Sequence, residues 1–129
     1  MAHSSFPRVL TFSLLLSLGL CGCATYPTQQ EIAAADNGPQ LEPDQYIAKI
    51  REAMELRLKD PDSAQYKFIS ATKAFYPGGP VARFKTTTYG WSVKFLVNAK
   101  NSYGGYTGYS PYKAFFQGDK ILVLEQEFP

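Results

Sequence analysis

Trp91-Ser92-Val93-Lys94-Phe95-Leu96-Val97-Asn98 decides the fold. Trp91, Val93, Phe95 and Val97 fall on one side of a period-two alternation, and Ser92, Lys94, Leu96 and Asn98 fall on the other. That is the pattern of a strand with one strongly apolar face, and such strands belong to antiparallel sheets covered on one side.

The cover is legible upstream. Ile47, Ile50, Met54 and Leu58 recur at helical spacing, and Tyr46 and Ala53 widen the stripe. The spacing predicts a helix from Pro43 to Lys59, with Pro43 in its first turn, Glu42 and Asp44 at the positive end of its dipole, and a favourable Glu55→Lys59 pair. Pro61 in Asp60-Pro61-Asp62-Ser63 ends it. Further strands are expected at Gln65–Ala74, at Val81–Thr88 (Ala82, Phe84 and Thr86 alternating with Arg83, Lys85 and Thr87), and in a final hairpin of Tyr112–Gln117 and Lys120–Phe128. Gly118-Asp119 fits that hairpin's two-residue turn. The sum is an α+β domain over residues 43–129, one amphipathic helix packed on an antiparallel sheet of about five strands.

Residues 23–42 read as a tether. Ala24 to Gln40 is polar and turn-prone, with a breaker cluster at Asp36-Asn37-Gly38-Pro39 and helical-turn composition only at Ile32-Ala33-Ala34-Ala35. As a flexible coil those 17 residues would reach roughly 20–25 Å.

Residues 1–22 read as a cleaved signal. Arg8 precedes the apolar run Val9 to Leu20, which is roughly 18 Å long as a helix and too short for a hydrocarbon core of about 30 Å. Leu20-Cys21-Gly22-Cys23 resembles the lipobox of bacterial lipoproteins, with cleavage between Gly22 and Cys23 and a diacylglycerol plus N-acyl lipid on the Cys23 sulfur. Two or three chains, at about 0.8 kcal/mol per buried CH₂, fix a protein to a membrane. By resemblance to sorting in two-membrane bacteria, Ala24 at the next position implies the outer membrane, facing the periplasm.

Composition narrows the chemistry. The two cysteines, Cys21 and Cys23, and the sole histidine, His3, all lie in or at the edge of the signal. A mature chain so processed has no imidazole and no free thiol, which excludes Ser-His and Cys-His catalysis and His/Cys zinc sites. No other cofactor or metal is implied. The net charge of +2 falls by one when Arg8 leaves. Basic and acidic residues are interleaved, so no nucleic-acid stripe is present.

One stretch stands apart: Asn98-Ala99-Lys100-Asn101-Ser102-Tyr103-Gly104-Gly105-Tyr106-Thr107-Gly108-Tyr109-Ser110-Pro111-Tyr112. Two readings stay open. Its tyrosines either fold back to cover the sheet edge, or form a recognition loop, tyrosine giving rigid amphipathic contact area. In the second reading Tyr103, Tyr106, Tyr109 and Tyr112 make contact, and Asn98, Lys100 and Asn101 are polar anchors. A peptidoglycan or other glycan site is the alternative. A carboxylate-dependent hydrolase would draw on Asp119, Glu125 and Glu127.

Asp60-Pro61-Asp62-Ser63-Ala64 and the Asn98–Tyr109 run together resemble a group of small bacterial envelope lipoproteins with no assigned activity. The resemblance covers roughly Asp44 to Phe128 and implies a shared fold, with no catalytic residue. Helix-then-sheet order, anchor and size are also similar to outer-membrane assembly lipoproteins of the BamE/OmlA kind, which usually begin with two helices where one is evident here. The expectation is a non-enzymatic membrane-anchored protein whose small domain binds an envelope partner.

Overall fold

A computed structural model describes residues 26–128. The expected signal, the expected cleavage site at Gly22 and the expected lipidation site at Cys23 lie outside the described residues. Among the described residues no helix is long and apolar enough to cross a membrane.

The chain runs α1 (Gln29–Ala34), α2 (Pro43–Glu55), a single 3₁₀ turn (Pro61–Ser63), β1 (Gln65–Phe68), β2 (Thr72–Tyr76), β3 (Thr88–Asn98), β4 (Ser110–Gln117) and β5 (Lys120–Gln126). All five strands form one antiparallel sheet centred on β3. The architecture is α+β, as the periodicities predict.

Strand β3 is the longest because both of its edges are used. β4 pairs along one edge, from Trp91↔Phe116 to Val97↔Ser110. β1 and β2 lie end to end along the other, against Phe95–Asn98 and Thr88–Ser92 respectively. Between Phe68↔Phe95 and Thr72↔Ser92, three residues of one strand oppose two of the other, so the expected Gln65–Ala74 strand is split by a bulge. Ile69 N–H still bonds the Lys94 carbonyl at 2.9 Å. A second irregularity lies in the β4–β5 pairing, where Phe115↔Val123 is followed by Phe116↔Ile121.

Helix α2 covers the face carrying Val93, Phe95, Val97, Ala114, Phe116 and Leu124. Ile50 and Met54 are fully buried against it and Tyr46 nearly so. Each such side chain contributes about 1.5–3 kcal/mol of transfer free energy. The aromatic rings of Tyr66, Phe68, Phe95 and Tyr112 stack in sequence across three strands, with centroids 5.5–5.7 Å apart. Arg51 of α2 lies over the Tyr66 ring at 4.5 Å. The helix stops at Glu55, four residues short of the expected end, because Arg57 N–H and Leu58 N–H both turn back to the Met54 carbonyl. Lys59 therefore lies beyond the helix, and the Glu55–Lys59 helical pair is not formed.

Val81–Thr88 is not a strand apart from its last residue. Gly79 N–H bonds the Phe84 carbonyl, Ala82 N–H bonds the Gly79 carbonyl, and Val81 is fully exposed. Pro80 and the preceding glycines divert the main chain into turns, and the alternation there has no ladder to join. Phe84 instead packs edge-on against Tyr76, which in turn packs on buried Phe115, so this loop covers part of the sheet's second face. The count of five strands survives because the bulge divides one expected strand while the loop removes another. The β4–β5 turn has Gly118 at φ +57° and no positive φ at Asp119, the requirement of a II′ hairpin turn.

The tether reading is corrected from Thr28 onward. Thr28 and Glu31 form a reciprocal capping box that starts α1. Ile32 is buried, and Asn37, also buried, donates to the carbonyls of Ile32 and Ala35 at the helix end. Lys73 of β2 reaches the Ala33 carbonyl at 2.7 Å, and the Trp91 indole N–H donates to the Gly38 carbonyl at 3.0 Å. These partners lie 40 and 53 residues away in sequence, which is why local composition could not reveal them.

Candidate binding loop and basic cleft

The Tyr/Gly stretch connects β3 to β4 and is pinned by its own asparagines. Asn101 Oδ1 accepts from the Tyr103 and Gly105 N–H groups at 2.9 and 3.1 Å, while the Asn101 carbonyl accepts from Gly104 N–H. Gly104 takes φ +81° at this turn, a conformation that costs glycine little. Asn98 Oδ1 accepts from Gly108 N–H at 3.1 Å across the loop base, and Lys100 and Tyr106 form an isolated antiparallel bridge. Asn98 and Asn101 therefore spend their side-chain oxygens on the loop itself.

The loop is also tied to the turn after α2. Ser63 Oγ accepts from Lys100 N–H at 3.1 Å and donates to the Asp60 carbonyl at 2.9 Å. The Ser63 carbonyl accepts from the Tyr106 hydroxyl at 3.0 Å. Asp60 Oδ1 caps Ser63 N–H. The Asp60–Ala64 and Asn98–Tyr109 motifs are thus one hydrogen-bonded unit.

The tyrosines divide into two roles. Tyr112 stacks on Phe95 and packs against the core. Tyr106, 47% exposed, has its hydroxyl on Ser63 and its ring 5.6 Å from the Lys100 ammonium. Tyr109, 40% exposed, lies under the Lys67 ammonium at 4.1 Å. Tyr103 alone of the four projects freely, at 97% exposure. Most of the loop tyrosines therefore fold back, and one is presented.

At the loop base lies a cleft of about 180 Å³. Arg57 and Lys59 line it from the segment after α2, and Lys100, Asn101 and Thr107 from the loop. Ser110, Leu58, Val97 and Ala99 complete most of the wall. Sequence reading gave Arg57, Lys59, Ser63, Thr107 and Ser110 no role in a binding site. The available signal was the basic pair in the last turn of the expected helix, which the early stop at Glu55 frees and only the fold carries to Lys100.

The three acids considered for hydrolysis do not form one site. Asp119 sits in the β4–β5 turn, Glu125 near the far end of β5 and Glu127 just beyond it, roughly 20–27 Å along an extended chain. Glu125 Oε1 accepts from the Tyr76 hydroxyl at 2.5 Å and pairs with Lys113 at 3.0 Å. Glu127 pairs with Lys94 at 3.5 Å and lies 4.0 Å from Lys113. The hydrogen bonds from Tyr76 and Lys113 lower the Glu125 pKa. Burial, then the bond to Glu125, pushes the Tyr76 phenol up. Burial alone would lower the Lys113 pKa, but the bond to Glu125 and the pairing with Tyr76 outweigh it and raise it. This is an ion-paired ladder on the second sheet face. Among the described residues, no three His, Cys, Asp or Glu side chains come together as a metal site.

Comparison with family models, with curated proteins and with solved structures gives no match.

Proposed function

We propose that this chain is a bacterial envelope lipoprotein, cleaved behind Gly22 and acylated at Cys23, whose domain is a non-enzymatic binding module for an envelope protein. The outer membrane, facing the periplasm, is its proposed address. One observation carries the binding role. Tyr103 stands free at the tip of a loop whose backbone is fixed by Asn98, Asn101 and Ser63. A rigid support beneath an exposed aromatic lowers the entropy cost of binding, and the fold gains no burial from that ring. The meeting of both envelope-lipoprotein-like motifs at Ser63 supports reading them as one unit.

The test is a photo-crosslinking residue at position 103 in living cells. Capture of one discrete envelope protein is expected, with loss of capture when Cys23→Ser abolishes acylation and membrane retention. Capture that is indifferent to the probe's position, equal at 103 and at exposed Val81, would sink the loop reading. A stable, unacylated Cys23 thiol by intact mass would sink the anchor. The glycan alternative predicts instead that the protein sediments with purified peptidoglycan and that Tyr103→Ala releases it.

A further inference from the structure

We propose that the cleft at the loop base takes a carboxylate side chain from an acidic peptide segment of the partner. The proposal rests on the binding role given to the loop above and names the chemistry of what is bound there. Arg57, Lys59 and Lys100 line the cleft from two segments far apart in sequence. Among the described residues, no carboxylate lies within ion-pair distance of any of them, whereas Lys94 and Lys113 on the second sheet face are both paired with glutamates. Asp60, next to Lys59, has Oδ1 on the Ser63 N–H. Three cations around a concavity, none of them in an ion pair among the described residues, raise the positive potential in it.

Size and lining narrow the ligand. At about 180 Å³ the cleft is smaller than the roughly 300–1,000 Å³ of drug-sized sites, so it suits one side chain of a larger partner. Leu58, Val97 and Ala99 give it apolar wall beside the hydroxyls of Thr107 and Ser110. A carboxylate on a short aliphatic stem uses both parts, where a bare inorganic anion would use only the charged one. The Arg57 fork can hold the two carboxylate oxygens together. Tyr103, outside the cleft on the same loop, would contact a neighbouring residue of the same segment.

The experiment uses the natural full-length protein in neutral detergent and fluorescein-labelled hexaglutamate, read by anisotropy. Hexaglutamate should bind, hexaglutamine should not, and affinity should fall at about 0.3 M salt. Arg57→Gln/Lys59→Gln/Lys100→Gln should weaken binding by about tenfold or more, with Lys100→Gln alone intermediate and Lys94→Gln unchanged. Thermal melts confirm that each variant is folded. Equal affinity of the wild type and the triple variant, or equal binding of hexaglutamine, overturns the proposal. So does peptidoglycan sedimentation that the triple variant abolishes when hexaglutamate fails to bind. Loss of the position-103 crosslink with hexaglutamate binding intact would count against the loop alone, and the converse against the cleft alone.

Discussion

The Tyr106 hydroxyl donates to the Ser63 carbonyl at 3.0 Å, across 43 residues of sequence. The same serine's hydroxyl receives the Lys100 N–H. One small residue in a 3₁₀ turn therefore sets the position of both arms of the β3–β4 loop.

Ser63→Ala should free the Lys100 N–H and loosen the loop while leaving the sheet intact. A loss of about 1 kcal/mol is expected, typical of one hydrogen bond. Urea denaturation would measure it. Amide exchange should quicken at Lys100, Gly104 and Gly105 but not at Val93 or Phe95. Tyr106→Phe should have a smaller effect, because this bond is exposed and the Ser63 carbonyl can accept from water instead.

Removing residues 1–40 tests whether the N-terminal segment belongs to the domain. The truncation loses buried Ile32 and the Gly38 carbonyl that holds Trp91. A destabilisation of about 2 kcal/mol is expected from one buried aliphatic side chain and a few hydrogen bonds, less the ordering entropy of the segment. Trp91 is the only tryptophan in the chain, so its emission should shift to the red. An unchanged urea midpoint and spectrum would restore the tether reading.

Gly90 lies inside β3, where a Cβ would stand 2.1 Å from the Phe116 carbonyl oxygen and 2.9 Å from the Phe115 ring. The nearest obstacle is main chain of the neighbouring strand and cannot rotate away. Gly90→Ala should cost about 3 kcal/mol or more, the upper end for overpacking. Its thermal midpoint should fall well below that of Gly105→Ala, whose Cβ has near-open space.

Acid stability should depend on Glu125. Its pKa is lowered from 4.5 in the folded chain by Tyr76 and Lys113. A carboxyl depressed on folding contributes stability that is present above its unfolded value and lost as pH falls through the folded one. The wild type should therefore lose stability more steeply than Glu125→Gln as pH drops below about 4.5. Urea midpoints across that window compare the slopes, and parallel curves would remove Glu125 from the account. Glu31, lowered by the backbone and side chain of Thr28, titrates in both proteins and cancels in the comparison.

What the amino-acid order alone determined is whatever depends on near neighbours. Val93, Phe95 and Val97 alternate at period two. Ile50 and Met54 recur at helical spacing, and Gly118 supplies the turn conformation that other residues resist. Strand, helix and final hairpin follow from those local rules. Tertiary structure decided everything that needed a distant partner. The period-two run at Ala82, Phe84 and Thr86 has no strand to pair with, and a bulge beside Lys94 splits what read as one strand. Ala33 and Gly38 are held by groups on the sheet. Arg57 and Lys59 meet Lys100 only because the end of α2 is brought beside the β3–β4 loop at Ser63. Spacing along a chain encodes faces of helices and strands; it does not encode which faces, once folded, stand opposite one another.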